Sequence, residues 1–152
     1  MGQNYGARKL SRCLASTKAA FWVEGLFLLC ITLPILFFGE HIIGFFNHDP
    51  EVIQLGMLRL WCVGDMLYLN GVVDIMSGAL RGYGYSLPPA IVALIGICGV
   101  RLVWIYTVFV NHRDYLTLIM AYPVSWLATT VVLAAVYYQC RKYILKSALA
   151  GK

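Results

Sequence analysis

Charge is what this chain has least of. Asp, Glu, Lys and Arg make up 12% of its 152 residues, where an ordinary soluble domain carries about a quarter. With 61% hydrophobic residues and a mean hydropathy of +0.74, that scarcity excludes a typical soluble domain and points to an integral membrane protein. Paired cysteines are missing too. Cys13, Cys30, Cys62, Cys98 and Cys140 form no C-x-x-C and are odd in number, which argues against a zinc or redox centre. Three of them sit in apolar runs, where Cys behaves as a small hydrophobe. There is no Gly-x-x-x-x-Gly-Lys-Ser/Thr, so ATP-driven chemistry is not expected. No nucleophile–base set or metal constellation is present, so neither an enzyme nor a cofactor is expected. His41, His48 and His112 fall in loops without a His-x-x-x-His pair, and a metal site is not expected there. The polar, basic start and the long apolar run after it do not read as a cleavable signal peptide.

What is present is four long apolar runs. A membrane-spanning helix needs about 20 mainly apolar residues. The runs lie at about Ala19–Phe38, Leu55–Ala79, Pro88–Val110 and Leu116–Tyr138. They lack the strict alternation of a transmembrane barrel. The expected fold is therefore all-α: a polytopic membrane protein with a basic segment at 1–18, four spans over 19–138 and a basic tail at 139–152. In "NHDPEV", Asp49 is placed to cap a helix starting at Pro50. "RGYGYSLPP" and "NHRDY" are the other breaks. Pro34 should bend the first span, and "FGEHIIGFF" is expected along the outer interface.

The net charge of +5 reads as a topology signal rather than a nucleic-acid surface, because the basic residues gather in tails and loops. Arg8, Lys9, Arg12 and Lys18 precede the first span, and Arg141, Lys142, Lys146 and Lys152 follow the last. The first loop has no Lys or Arg, the second has Arg81 and the third Arg113. Both termini are thus expected on the cytoplasmic side of a plasma (inner) membrane, the basic tails facing anionic headgroups. Trp22, Phe45, Phe46, Trp61, Tyr83, Tyr85, Tyr137 and Tyr138 lie near span ends, as an interfacial belt would.

Few charges lie inside the runs, and an unpaired one costs at least about 2.5–3.5 kcal/mol on insertion scales. Asp65 and Arg101 fall at similar depth, roughly 15 Å below the same boundary at 1.5 Å per residue. They are expected to face each other or share a polar cavity. Leu67, Asn70, Gly71, Asp74, Gly78 and Arg81 share another stripe of the second span. On it Gly71, Gly78 and Gly82 should let another helix approach; Asn70 and Asp74 make it a polar face, whose carboxylate could exchange a proton or ligate Na⁺. A structural role for these charges is the competing reading. Glu24, close to Lys18, is expected at the interface. Tyr68, Trp104 and Tyr106 are candidate cavity-lining residues, with packing or lipid-facing roles as alternatives.

"GQNYGARK", "FFNHDPEVIQLG", "MSGALRGYGYSLPP", "GVRLVWIY" and "YPVSWLATTVVLAAVYY" occur in that order. Together they resemble the C-terminal part of multidrug and toxic compound extrusion (MATE) transporters. Gly2, Gln3, Asn4 and Gly6 of the first element, and Gly78, Arg81 and Gly82 of the third, carry the resemblance. It implies the last four of twelve helices in two six-helix lobes. It also implies secondary antiport of small amphipathic organic compounds against H⁺ or Na⁺, with the lipid bilayer and the remaining helices as partners. Some members carry an aspartate eight residues before the S-G-x-L-R-G glycine; here that residue is Asn70, with Asp74 one turn on. The coupling ion is therefore left open between H⁺ and Na⁺. The chain is expected to be a fragment or truncated form, not competent for transport alone. A self-assembling four-helix scaffold or regulator, or a small oligomeric efflux subunit, is the alternative.

Overall fold

A computed structural model describes residues 1–64 and 66–150 of the chain. Among these residues there are helices and turns and no strands. The helices are α1 (Gly2–Gly6), α2 (Leu10–Phe46), α3 (Pro50–Gly64), α4 (Leu67–Gly82), α5 (Leu87–Phe109) and α6 (Tyr115–Ala150). α2, α5 and α6 are each long and apolar enough to cross a membrane. α3 and α4 meet that test together, as a pair bent by 42°. The chain is a helical membrane protein.

Local chemistry accounts for several helix boundaries. Asp49 caps α3 as its sequence position predicts: the Glu51 N–H donates to Asp49 Oδ1 at 3.0 Å, while Pro50 occupies the first helical position, where no N–H is needed. Asn47 Oδ1 in turn accepts the Asp49 N–H at 2.9 Å. The turn after α4 contains Gly84 at φ +93°, a conformation that side-chain-bearing residues rarely adopt.

Two boundaries differ from the sequence-based expectation. The run expected as one span over 55–79 is divided into α3 and α4, with the Met66 N–H closing a tight turn onto the Val63 carbonyl at 3.2 Å. Conversely, α2 does not stop near Phe38. It runs on through Pro34 and through "GEHIIGFF" as one helix of 37 residues, about 55 Å long at 1.5 Å per residue. The extra turns are held by close packing. Gly39 is buried, and a Cβ there would lie 2.7 Å from Met57 Sδ and 3.0 Å from Leu60 Cδ1. Gly56 of α3 lies against Ile43 of α2 in the same manner, at 2.8 Å. Small residues let the two helices approach along a segment that hydropathy alone would leave at the interface. α5 contains two π-helical stretches, Leu94–Gly99 and Ile105–Phe109.

α6 is the central helix. It packs on α3, α4 and α5, whereas α2 packs on α3 and α4 from the other side. Val73 and Leu80 of α4 close on Leu133 of α6. A second cluster joins Cys13, Tyr83 and Ile144, with Met1, Tyr5, Leu10, Tyr85 and Tyr137 against it. Here the two motif elements meet. Gly2 N lies 3.4 Å from where a Cβ of Gly82 would be, and Met1 covers the same glycine. The Tyr5 and Tyr83 rings stack edge to face, 5.3 Å apart. Tyr83, expected in an interfacial belt, is only 5% exposed.

Burial, followed by the neighbouring Tyr137 and Cys13 and a hydrogen bond with Tyr137, pushes the Tyr83 phenol from 10.0 up to about 12. The folded chain therefore holds this proton after the unfolded chain has lost it. The resulting stabilisation is complete below pH 10.0 and disappears as pH rises toward about 12. Thermal unfolding in detergent micelles should show stability falling across that window. Tyr83→Phe should flatten the decline and cost stability at neutral pH.

Candidate functional site

The polar features of the bundle gather in two places. The first is the contact of α2 with α4. Tyr68 and Gly71 are three residues apart on α4 and so share a face. Gly71 has no side chain, and the carboxylate of Glu24 from α2 occupies the space a Cβ would take. Glu24 Oε2 is buried, with no hydrogen-bond partner among the described residues. One residue on, the Tyr68 ring comes to 3.6 Å from the Cβ position of Gly25. Asp74, a turn beyond Asn70, is exposed on the outside of this contact, and its negative charge acts on Glu24. Asn70 is half-buried. Behind this face the Thr130 hydroxyl of α6 donates to the Leu69 carbonyl at 3.3 Å.

A groove of about 560 Å³ runs along α2 from this contact, lined by Phe21, Trp22, Leu29, Thr32, Gly64 and Tyr68 among others. That volume lies within the range of small-molecule sites. Its wall is aromatic and apolar, and Gly25, next in the chain to Glu24, is part of it. Such a surface suits a flat or bulky organic group carrying a positive charge.

The second place is the packing of α5 on α6. The Arg101 Nε–H donates to Ser125 Oγ at 3.0 Å, and its guanidinium lies 4.3 Å above the Tyr122 ring and 5.9 Å from that of Trp126. Ser125 is fully buried and passes its own proton to the Tyr122 carbonyl at 2.8 Å. Arg101 is therefore held by α6. Asp65, its expected partner, lies outside the described residues. Arg59 of α3 reaches the same ring, 5.7 Å from its centroid.

The remaining sequence candidates separate. Trp104 does not line the groove: its indole N–H donates to the Thr117 carbonyl at 2.8 Å, which fixes it as a packing residue. Tyr106 is 74% exposed on the outside of α5. Gly78, expected to admit a helix, has nothing within 4 Å of a Cβ position. The close approaches fall at Gly71 and Gly82 instead. Of the motif residues, Asn4 Nδ2 donates to Ser16 Oγ at 3.5 Å, and Gly2, Gln3, Gly6 and Arg81 are exposed. Among the described residues no group of three or more His, Cys, Asp or Glu converges.

Sequence reasoning underrated two residues. Glu24, read from its nearness to Lys18 as an interfacial charge, packs its carboxylate into the space beside Gly71 with Oε2 buried. Arg59 lies inside the second apolar run, where its charge alone marks it.

The Glu24–Gly71 contact gives a thermodynamic prediction. Gly71→Ala places a methyl where the carboxylate sits, and the side chain of Glu24 must swing away. In a double-mutant cycle with Glu24→Ala, unfolding in mixed micelles should show a coupling of about 0.5–3 kcal/mol. Gly78→Ala, which meets open space, should show none with Glu24.

A family model described as MatE matches residues 1–107. That range takes in both motif elements, α1 to α4 and most of α5. A relative named as the probable multidrug resistance protein NorM of Thermotoga maritima (strain ATCC 43589 / DSM 3109 / JCM 10099 / NBRC 100826 / MSB8) is 29% identical over 102 residues. The matched segment covers 67% of this chain and 22% of that protein's length. No solved structure matches significantly. The motifs docked at Gly2 and Gly82 and the helices they tie together are thus those of a known group of membrane proteins, and the chain belongs to the MatE family.

Proposed function

We propose that this chain is a portion of a secondary multidrug antiporter of the plasma membrane, working together with helices beyond the described bundle. It exports small amphipathic organic compounds in exchange for H⁺ or Na⁺, and both termini face the cytoplasm. The observation that carries the reading is the match of residues 1–107 to the MatE family, together with a relative named for multidrug resistance. The matched segment is 22% of that relative, so an enclosed transport path needs partners for the surfaces left open here.

Two surfaces suit such partners. α2 carries Trp22, Phe37 and Phe45 at 80% exposure or more. Asp74 is exposed midway along α4, and a carboxylate inside a membrane-spanning run faces protein or a water-filled cavity far more often than lipid. In this reading the groove beside Trp22 and Tyr68 contacts the organic part of the cargo. Glu24 and Asp74 supply the negative charge that cargo and coupling ion exchange for, with Asn70 as a neutral oxygen donor.

Two measurements test it. Cells lacking their own efflux pumps and expressing this chain alone should retain a fluorescent lipophilic cation such as ethidium. Efflux by the chain alone that is abolished by Asp74→Asn would show a self-sufficient pump and refute the need for partners. The purified chain in lipid nanodiscs should bind the same dye with quenching of Trp22. Glu24→Gln and Trp22→Leu should each weaken that binding about tenfold, or about 1.4 kcal/mol. Dye binding indifferent to both substitutions removes the groove from the transport path.

A further inference from the structure

At the opposite end of the bundle from α1, three helices bring two cations to one ring. Arg59 of α3 and Arg101 of α5 both lie over Tyr122 of α6, at 5.7 and 4.3 Å. Between them is a cavity of about 190 Å³, lined by these three residues with Tyr115, Ile105 and Ile119 among others. α2 contributes nothing to it, so it is separate from the Glu24 groove. Counted along their helices, Arg59, Arg101 and Tyr122 each lie about 10–14 Å from the loop ends at Pro50, Phe109 and Tyr115. That places both guanidiniums inside the apolar layer.

Among the described residues no carboxylate answers their positive charge. Each guanidinium has five N–H donors. Arg101 uses one, on the neutral Ser125 hydroxyl. Arg59 has the ring contact and no hydrogen bond to any described residue. A cation–π contact offsets only part of the cost of holding a guanidinium among apolar helices. Two like charges beside one cavity add repulsion to that deficit. Guanidinium forks match the oxygens of a phosphate geometrically, two N–H donors to each pair of oxygens. The volume is below the roughly 300 Å³ at which pockets for drug-sized ligands begin, yet it is open enough for a small oxyanion.

The geometry points to a phosphate-binding site formed by Arg59 and Arg101 over Tyr122, filled by the phosphodiester of an anionic lipid or by free phosphate. Neither occupant is a cargo of the groove on α2, and the site stands whether or not that groove carries one.

The test uses the whole chain in nanodiscs of phosphatidylcholine alone, or of equal parts phosphatidylcholine and phosphatidylglycerol. Thermal unfolding and native mass spectrometry are the readouts. The expected result is higher stability and retained phosphatidylglycerol in the mixed discs. Arg59→Gln should weaken this lipid binding about tenfold or more, while Arg59→Lys, which keeps charge but not the fork, should weaken it less. Arg59 is exposed and makes no hydrogen bond to a described residue, so its substitution is the milder of the two; Arg101→Gln, which also removes the bond to Ser125, is the harsher companion. Inorganic phosphate added to the phosphatidylcholine discs separates the sources: stabilisation by it that depends on Arg59 assigns the site to a free anion, and its absence beside a phosphatidylglycerol effect assigns it to lipid. Binding of both that is unchanged by Arg59→Gln and Arg101→Gln overturns the site. So does a wild-type chain that binds neither while Asp65→Asn binds one, since Asp65 would then already be the counterion.

Discussion

Hydrocarbon offers no hydrogen bond, so every polar side chain in this bundle must find its partner in the polypeptide. Most do so within their own helix. The Thr17, Thr107 and Thr129 hydroxyls each donate to the carbonyl four residues back, at 3.1, 2.6 and 2.6 Å. Ser125 uses the carbonyl three back. This local solution costs no tertiary partner and lets hydroxyls line a helix that is otherwise apolar. Larger or charged groups have no such recourse. Among the described residues Glu24 Oε2 and Arg141 Nε are buried without a partner, as is the small Ser77 Oγ; Arg59 has only the Tyr122 ring, and Arg101 adds one hydrogen bond to Ser125. Against the threonine hydroxyls bonded within their own helices, Glu24, Arg59 and Arg101 stand out, and the candidate sites are built around them.

Helix association under the same constraint cannot rely on the hydrophobic effect, because lipid tails are as apolar as leucine. What remains is close packing, and glycine positions decide where it occurs. Gly39 and Gly56 bring α2 and α3 together, Gly71 admits the Glu24 side chain, and Gly82 admits Met1. α6 takes the central place with Ser125, Thr129 and Leu133 fully buried. Elsewhere apolar side chains stay exposed, with Trp22 at 81% and Tyr106 at 74%. In a bilayer such exposure carries no penalty, and it leaves lipid and further helices to compete for the same faces.

How much of this was readable from residues alone follows from the same physics. The apolar runs were legible because span length is set by bilayer thickness, and the start of α3 because Asp49-Pro50 is a local signal that works without tertiary contacts. The end of α2 was not. "GEHIIGFF" is polar enough to read as a loop, and only the contacts of Gly39 with Met57 and Leu60 show why it stays helical. The division between α3 and α4 hides inside a continuous apolar run for the opposite reason: hydropathy registers composition and is blind to direction. Of the candidate residues, Asp74 stands out in the sequence by its charge within an apolar run, and Tyr68 lines the groove on α2. Gly78 meets open space because a glycine permits approach without requiring it, and the contact of Glu24 with Gly71 is tertiary and leaves no mark in the local sequence.

α4 joins these threads. At its start it is bent by 42° from α3. At its end Gly82 is covered by Met1 and Gly2, so the N-terminal element rests on the helix that carries Tyr68, Asn70, Gly71 and Asp74. Asp74 lies eight residues before Gly82 on an unbroken helix of 16 residues, about 12 Å along a rigid axis. The Glu24 contact and the tyrosine cluster at Tyr83 thus sit on one continuous helix, whereas the arginine pair is held by α3, α5 and α6.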